Sequence, residues 1–188
     1  MTTYRVGYFV GSLSSTSINR TLAKALVRLA PADLELSEIP IKDLPLYTPD
    51  YDEDFPPEAR AFKAAIAAVQ AVLFVTPEYN RSIPGGLKNA IDWASRPRGQ
   101  NSFDHIPAAV IGMSTGPIGT AMAQQSLRSV LSFANARQMT APEAYLRWAP
   151  DMFTDDGEVL LEPTADFLRR YMAEFREHVV RVLTVLPR

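Results

Sequence analysis

Short apolar runs alternate along this chain with amphipathic helical patterns, and the alternation restricts the fold to the α/β class with a parallel sheet. The run Ala71–Val75 is apolar throughout, as expected of a central strand that helices cover on both faces. A helix that begins near Ser17 places Ile18, Leu22 and Leu26 on one core-facing stripe. We therefore predict a three-layer sandwich, with helices on both faces of one sheet.

The same patterns predict the approximate bounds of ten elements in a single domain that spans residues 1–188. Five strands are predicted at Tyr4–Val10, 33–38, Ala71–Val75, 107–113 and 138–145. Five helices are predicted from near residue 17, from residue 57, and at 84–95, 119–136 and 164–184. The proline-rich and acidic stretch 40–57 reads as a surface loop. Five such strands suit the flavodoxin-like order 2-1-3-4-5, in which ligands bind at the carboxyl ends of strands 1, 3 and 4.

Charge and composition exclude several classes of function. A formal net charge of −2 offers no basic surface to neutralise the phosphates of a nucleic acid, so we expect no such partner. The chain has no cysteine, which excludes disulfides and thiolate catalysis, and the two histidines form no metal-ligand pattern. No apolar run approaches the roughly 18 residues of a membrane span, and the N-terminal segment resembles a buried strand more than a signal peptide. We therefore expect a cytoplasmic protein without a membrane partner.

The first predicted strand leads into a hydroxyl-rich loop, residues 11–19, with four serines, one threonine and Asn19 before a helix. Hydroxyls and the unpaired N–H groups of a helix N-terminus bind phosphate, and the helix dipole favours the negative charge. The loop lacks the glycine patterns for a dinucleotide or for a nucleoside triphosphate, so a monophosphate such as that of FMN fits best. The alternative is that Ser15, Thr16 or Ser17 only caps the helix.

Two further loops follow the third and fourth strands. Residues 76–88 contain two prolines and two glycines that hold an aromatic ring and an amide, Tyr79 and Asn80, in a stiff segment. These groups suit the wall and the polar edge of a site for a flat ring, although a turn that caps the next helix remains an alternative. Residues 112–119 are small enough to let a planar ligand lie against the main chain. Three such loops at neighbouring strand ends indicate one binding site.

The string TPEYNRSIPGGLKNAIDWASRP closely resembles the signature of the NADPH-dependent FMN reductase family, which includes quinone, chromate and azo-dye reductases. GSLSSTSINR resembles the phosphate loop of that family, and DLPLYTPD resembles its stretch after the second strand. The resemblance implies a flavodoxin-like fold, non-covalent FMN, NADPH or NADH as co-substrate, and a homodimer or homotetramer. It also implies ping-pong hydride transfer through the N5 atom of FMN to quinones, similar electron-poor acceptors or free flavin, with no catalytic side chain.

Matching the family motifs to this chain implies thirteen FMN-binding residues. The FMN phosphate would be held by Ser12, Ser14, Ser17, Ile18 and Asn19. The ribityl chain and the isoalloxazine ring would contact Pro77, Glu78, Tyr79 and Asn80. The pyrimidine side of the ring would contact Ser114, Thr115, Gly116 and Gly119. Many members have arginine at the position of Ser14, which would add a charge-assisted phosphate contact, and some have a tyrosine that helps to build a tetramer at the position of Arg81.

Two other functions compete with the reductase. The sequence GMSTG at 112–116 matches the nucleophile elbow of a small serine hydrolase, with Ser114 as nucleophile. Asp155 or Asp166, followed by His178, would complete the hydrolase order, but His178 falls within the last predicted helix rather than on a loop. The other alternative is an FMN-binding electron carrier or sensor that no nicotinamide reduces. Rapid bleaching of the flavin by NADPH would exclude that carrier.

Overall fold

The computed structural model describes residues 2–187, and strands alternate with helices along the chain as the sequence predicts. These described residues form six strands: β1 (Tyr4–Val10), β2 (Leu34–Glu38), β3 (Ala71–Val75), β4 (Pro107–Ser114), β5 (Arg137–Gln138) and β6 (Tyr145–Arg147). They also form five α-helices: α1 (Ile18–Leu29), α2 (Pro57–Ala67), α3 (Gly85–Ala94), α4 (Ala121–Phe133) and α5 (Glu162–Val185). One turn of 3₁₀-helix, Pro49–Tyr51, lies in the predicted surface loop. Within residues 2–187, no helix is long and apolar enough to cross a membrane.

The strands form a parallel sheet in the order β2-β1-β3-β4-β5, which confirms the predicted flavodoxin-like topology. Val6 of β1 pairs with Leu36 of β2 on one side and with Ala71 of β3 on the other. These pairs define the register of β1 against both neighbouring strands. Because every strand is parallel, the carboxyl ends of β1, β3 and β4 meet at one edge. The loops that follow these strands therefore lie next to one another.

Alternate residues of the central strands face two different helix layers. Phe9 and Phe74 stack at 4.8 Å between ring centroids on the side that α2, α3 and α4 cover. Leu73 faces the other side, where it packs with Leu26 of α1 and Phe175 of α5. All five residues of β3 are buried, as its uniformly apolar sequence predicts.

The predicted fifth strand, residues 138–145, is wrong in detail, because two short strands stand in its place. Both strands pair in parallel with β4. β5 pairs with the beginning of β4, and β6 pairs with the end of β4. Between them, Pro142 has no N–H to give to a ladder. Carbonyl groups of the intervening segment instead accept hydrogen bonds from α4, where Arg128 donates to Met139 O and Gln124 donates to Ala144 O.

A half-buried lysine connects α2 to the segment after α3. Lys63 Nζ donates to Ala94 O at 3.0 Å, to Gln100 O at 2.7 Å and to Ser102 Oγ at 3.0 Å. None of these acceptors carries a charge, so burial is not offset by an anion and lowers the pKa of Lys63 to about 8.

This lysine predicts a pH dependence of stability. Between pH 8 and the ordinary lysine value of 10.5, the unfolded chain binds more protons than the folded chain, so the contribution of Lys63 to the free energy of unfolding rises with pH. We expect Lys63→Met to lose this rise when urea unfolding is compared at about pH 7 and about pH 9.5. Lys42→Met, at an exposed position, is the control and should follow the wild type. An identical pH response in Lys63→Met and wild type would contradict the assignment.

Candidate functional site

The three loops singled out in the sequence lie together at the carboxyl edge of the sheet. Gly11 N donates to Val75 O at 2.8 Å, which places the start of the first loop beside the end of β3. Thr76 N donates to Ile111 O at 3.0 Å, which places the start of the second loop beside the end of β4. The third loop begins at Gly112 within β4. The structure therefore brings the three predicted segments to one place, and several of their side chains hold the loops together.

Asn19 holds the first loop against the third. Its Nδ2 donates to Met113 O at 2.8 Å, and Met113 N donates to Asn19 Oδ1 at 2.9 Å. The side chain is almost fully buried, and these bonds use both ends of its amide. The main-chain N–H of Asn19, in the first turn of α1, is a further donor that a phosphate can reach. No local sequence signal pairs residues 94 positions apart, so sequence reasoning did not find this bridge.

The N-terminus of α1 carries no side-chain cap. Ser17 occupies the N-cap position, but its hydroxyl makes no capping hydrogen bond, and the first turn contains no acidic residue. The N–H groups of Ile18 and Asn19 have no partner within the helix, because the first four amides of any α-helix lack one. The side chain of Ser17 therefore does not cap the helix, which was the alternative to phosphate binding. An uncapped, electropositive helix end beside hydroxyl groups fits a phosphate.

Hydroxyl groups shape the rest of the first loop. Ser14 N donates to Ser12 Oγ at 3.3 Å, and Thr16 N donates to Ser14 Oγ at 3.2 Å. Residues 15–18 also line a cavity of about 460 Å³ that extends to Trp148 and to Lys24 of α1. The loop is thus partly ordered by its own side chains, and it borders open space.

The second loop contains a two-residue hairpin. Tyr79 and Ser82 exchange two backbone hydrogen bonds of 3.0 Å, and the residues between them, Asn80 and Arg81, have φ values of 51° and 63°. Two successive left-handed residues are typical of a type I′ turn. Tyr79 is 49% exposed, so its ring is available to a ligand, whereas Pro77 is buried below the hairpin.

Glu78 connects the second loop to the helix that follows the third. Its Oε2 accepts hydrogen bonds from Met122 N at 3.0 Å and from Ala123 N at 3.1 Å, so Glu78 caps the N-terminus of α4. The side chain is only 9% exposed. A carboxylate is favourable there because it satisfies two unpaired N–H groups and faces the positive end of the helix dipole.

We expect Glu78→Ala to lower the free energy of unfolding by about 1–2 kcal/mol, because two N–H groups at the N-terminus of α4 lose their acceptor. FMN affinity should fall as well, since the third loop leads directly into α4. Glu78→Gln retains one acceptor oxygen and should lose less. Urea unfolding and FMN titration measure the two effects, with Glu174→Ala at an exposed position of α5 as control. A stability loss in Glu78→Ala no larger than in the control would contradict the capping role.

Close backbone packing shapes the third loop. Gly116 N donates to Ser114 Oγ at 3.1 Å, and Gly119 N donates to Gly116 O at 3.1 Å. Gly119 has a φ of +59°, and a Cβ there would lie 2.8 Å from the carbonyl carbon of Tyr145. Gly116 lies in more open surroundings, where a Cβ would meet only Ser114 Oγ at 3.5 Å. Thr115 is exposed, so the loop presents a small, flat surface that a planar group can approach.

The structure separates the residues of the competing hydrolase. His178 Nε2 donates from within α5 to Arg137 O at 2.7 Å, and Arg137 pairs with Pro107 at the start of β4, whereas Ser114 ends that strand. Ser114 Oγ accepts from the neighbouring Gly116 N–H. Burial lowers the pKa of His178. His105 also has a structural partner, since Arg137 Nη2 lies 2.6 Å from its Nδ1. Among residues 2–187, no group of three or more His, Asp or Glu side chains is arranged to hold a metal ion.

Comparison with known proteins shows the family to which this chain belongs. A family model described as NADPH-dependent FMN reductase matches residues 4–150. A 2-hydroxy-1,4-benzoquinone reductase from Burkholderia sp. is 46% identical over 171 residues, which are 91% of this chain and 93% of the relative. A quinone reductase from Pseudomonas putida is 46% identical over 177 residues, 94% of this chain and 95% of the relative.

Solved structures agree with these sequence relatives. FerB, a flavoenzyme NAD(P)H:(acceptor) oxidoreductase from Paracoccus denitrificans, superimposes with a TM-score of 0.91 at 44% identity, covering 95% of this chain and 98% of FerB. A flavodoxin mutant from Pseudomonas aeruginosa shares the fold alone, with a TM-score of 0.55 at 22% identity over 92% of this chain and 99% of the flavodoxin. The protein belongs to the NADPH-dependent FMN reductase family.

Proposed function

We propose that this protein binds FMN and uses NADPH or NADH to reduce quinones or similar electron-poor acceptors. The observation that carries the proposal is the uncapped N-terminus of α1, which lies beside a hydroxyl-rich loop and is tied by Asn19 to the third loop. The names of the relatives, benzoquinone reductase and quinone reductase, support the choice of acceptor. A homodimer or homotetramer stays a prediction from the family resemblance.

The residues fit FMN in three parts. The phosphate would be held by the N–H groups of Ile18 and Asn19 and by hydroxyls of the first loop, with Ser17 closest to the helix end. Tyr79 and Asn80 would line the flavin ring from the second loop. At its pyrimidine edge, the main-chain donors would be the N–H groups of Thr115 and Ile118, because Pro117 has none and those of Gly116 and Gly119 are bonded within the loop. When bound, FMN supplies the chemistry, because it accepts hydride from a nicotinamide and passes electrons to an acceptor.

The chain itself would position groups rather than transfer protons. Glu78 is the only carboxylate in residues 11–19, 76–84 and 112–120, and its Oε2 is occupied by the N–H groups of α4. It is therefore poorly placed to act as a general acid or base. The small residues around position 116 would let the ring approach the main-chain N–H groups of Thr115 and Ile118, which would stabilise negative charge on the pyrimidine side of the reduced ring.

The experiment is an anaerobic visible spectrum of the FMN-loaded protein after addition of NADPH, repeated with NADH. We expect flavin absorption near roughly 375 and 450 nm to bleach within seconds and to return when a quinone is added. Comparison of the two donors identifies the preferred nicotinamide. Bound flavin that neither donor bleaches would overturn the reductase and favour the carrier or sensor. A protein that retains no flavin and hydrolyses a simple ester would favour the hydrolase with Ser114.

A further inference from the structure

Arg81 is the one cation in the parts of the three loops that lie before the helices, residues 11–19, 76–84 and 112–120. Residues 11–19, 76–84 and 112–120 contain two charged side chains, Glu78 and Arg81. The charge of Glu78 is directed at the N-terminus of α4 and is largely buried. The side chain of Arg81 is 71% exposed, so its charge is open to an approaching ligand beside the second loop.

The guanidinium group of Arg81 is only weakly engaged. Its Nη1 lies 3.7 Å from Glu78 Oε1, which is longer than a hydrogen bond. Within the part of the chain that the structure describes, this ion pair is the only polar contact recorded for the side chain. The planar donor fork is therefore free to form paired hydrogen bonds with an anionic oxygen pair, for which phosphate and carboxylate have the matching geometry.

The backbone makes arginine an unexpected residue at this position. Arg81 has a φ of 63° and follows Asn80, whose φ is 51°, so it occupies the second position of the type I′ turn. Glycine is preferred there because it adopts this conformation without steric cost. The turn itself does not require arginine, so its presence points to a role for the side chain.

We propose that Arg81 binds a phosphate group of the nicotinamide dinucleotide and so determines the affinity for the hydride donor. The inference rests on the proposed function, in which NADPH or NADH approaches the open side of the site. Both dinucleotides carry a diphosphate, and NADPH carries a 2′-phosphate in addition. Arginine recognises either group through charge-assisted paired hydrogen bonds.

The test compares Arg81→Gln, Arg81→Lys and wild type, all loaded with FMN. The dissociation constants of NADP⁺ and NAD⁺ are measured by calorimetry at low and high salt, with the KM for NADPH and NADH as a second measurement. Arg170→Gln, on the exposed side of α5, removes the same charge outside the three loops and serves as control. We expect Arg81→Gln to weaken NADP⁺ binding about tenfold and to reduce its salt dependence, with partial recovery in Arg81→Lys.

Comparison of NADP⁺ with NAD⁺ binding shows which phosphate group of the dinucleotide Arg81 contacts. Equal weakening for NADP⁺ and NAD⁺ would assign the contact to the diphosphate, and weakening for NADP⁺ alone would assign it to the 2′-phosphate. Unchanged binding in Arg81→Gln, or the same loss in Arg170→Gln, would overturn the inference. If NADPH bleaches wild-type and Arg81→Gln flavin with equal KM, only the role of Arg81 fails. If neither donor bleaches the wild-type flavin, the proposed function fails as well.

Discussion

Replacing Gly112 with alanine is expected to lower the free energy of unfolding by about 3 kcal/mol or more, because the added methyl group has no room. A Cβ at this position would lie 2.1 Å from Thr76 O and 2.4 Å from Thr120 Oγ1. Thr76 O belongs to the main chain and cannot rotate away. The end of β4 would therefore have to move away from the start of the second loop, at the point where both loops leave the sheet.

Urea unfolding measures this loss, and FMN titration should show a parallel loss of affinity, because the second and third loops separate. Gly85→Ala is the matched control, since a Cβ at Gly85 meets no atom within 4 Å. Gly85 begins α3, where alanine is at least as favourable as glycine. We therefore expect Gly85→Ala to be neutral or slightly stabilising. A Gly112→Ala protein as stable as wild type would show that the sheet edge is less closely packed than described.

Asn19→Ala should have the second largest effect, a loss of about 3 kcal/mol in unfolding free energy. The substitution removes two hydrogen bonds and leaves the N–H and the carbonyl of Met113 buried without those partners. Each unsatisfied buried group costs about 1–3 kcal/mol. Asn19→Asp retains the acceptor for Met113 N but loses the donor to Met113 O and adds a buried charge, so it should not restore stability.

The functional consequence of Asn19→Ala is a loss of FMN affinity of at least about tenfold, more than 1.4 kcal/mol. The first loop would no longer be held against the third, so the phosphate and ring segments would lose their relative position. Gln125→Ala, an exposed position on α4, controls for the removal of a side-chain amide. Unchanged FMN affinity in a destabilised Asn19→Ala protein would contradict the view that this bridge aligns the two loops.

Much of the fold follows from local patterns in the sequence. The uniformly apolar run Ala71–Val75 identifies the central strand, and proline at residue 57 marks the start of α2. The exception is the segment after α4, where one strand is predicted over 138–145 but the backbone leaves the sheet between β5 and β6. Side chains of α4 supply the missing hydrogen bonds there. Periodicity describes burial, and it does not show which partner satisfies a backbone group.

The candidate site was predictable as three loops, because parallel topology brings the ends of β1, β3 and β4 together. The division of roles among the side chains was not. Asn19 and Glu78 are both predicted as contacts of FMN, and that stays a prediction; the structure adds that their side chains bond to main-chain groups of β4 and α4. The residues to which they bond, Met113 and Met122, are distant in the sequence, and no local pattern links the members of each pair. Such pairings depend on tertiary structure alone.

The most direct test of the site is an equilibrium titration of the flavin-free protein with FMN and, separately, with riboflavin, followed by flavin fluorescence. Riboflavin has the same ring and ribityl chain but lacks the phosphate. Because the N-terminus of α1 and the hydroxyl loop are assigned to that phosphate, we predict that FMN binds one per chain and at least about 100-fold more tightly. Equal affinities for FMN and riboflavin would show that the first loop does not bind phosphate, and would contradict the assignment of the site.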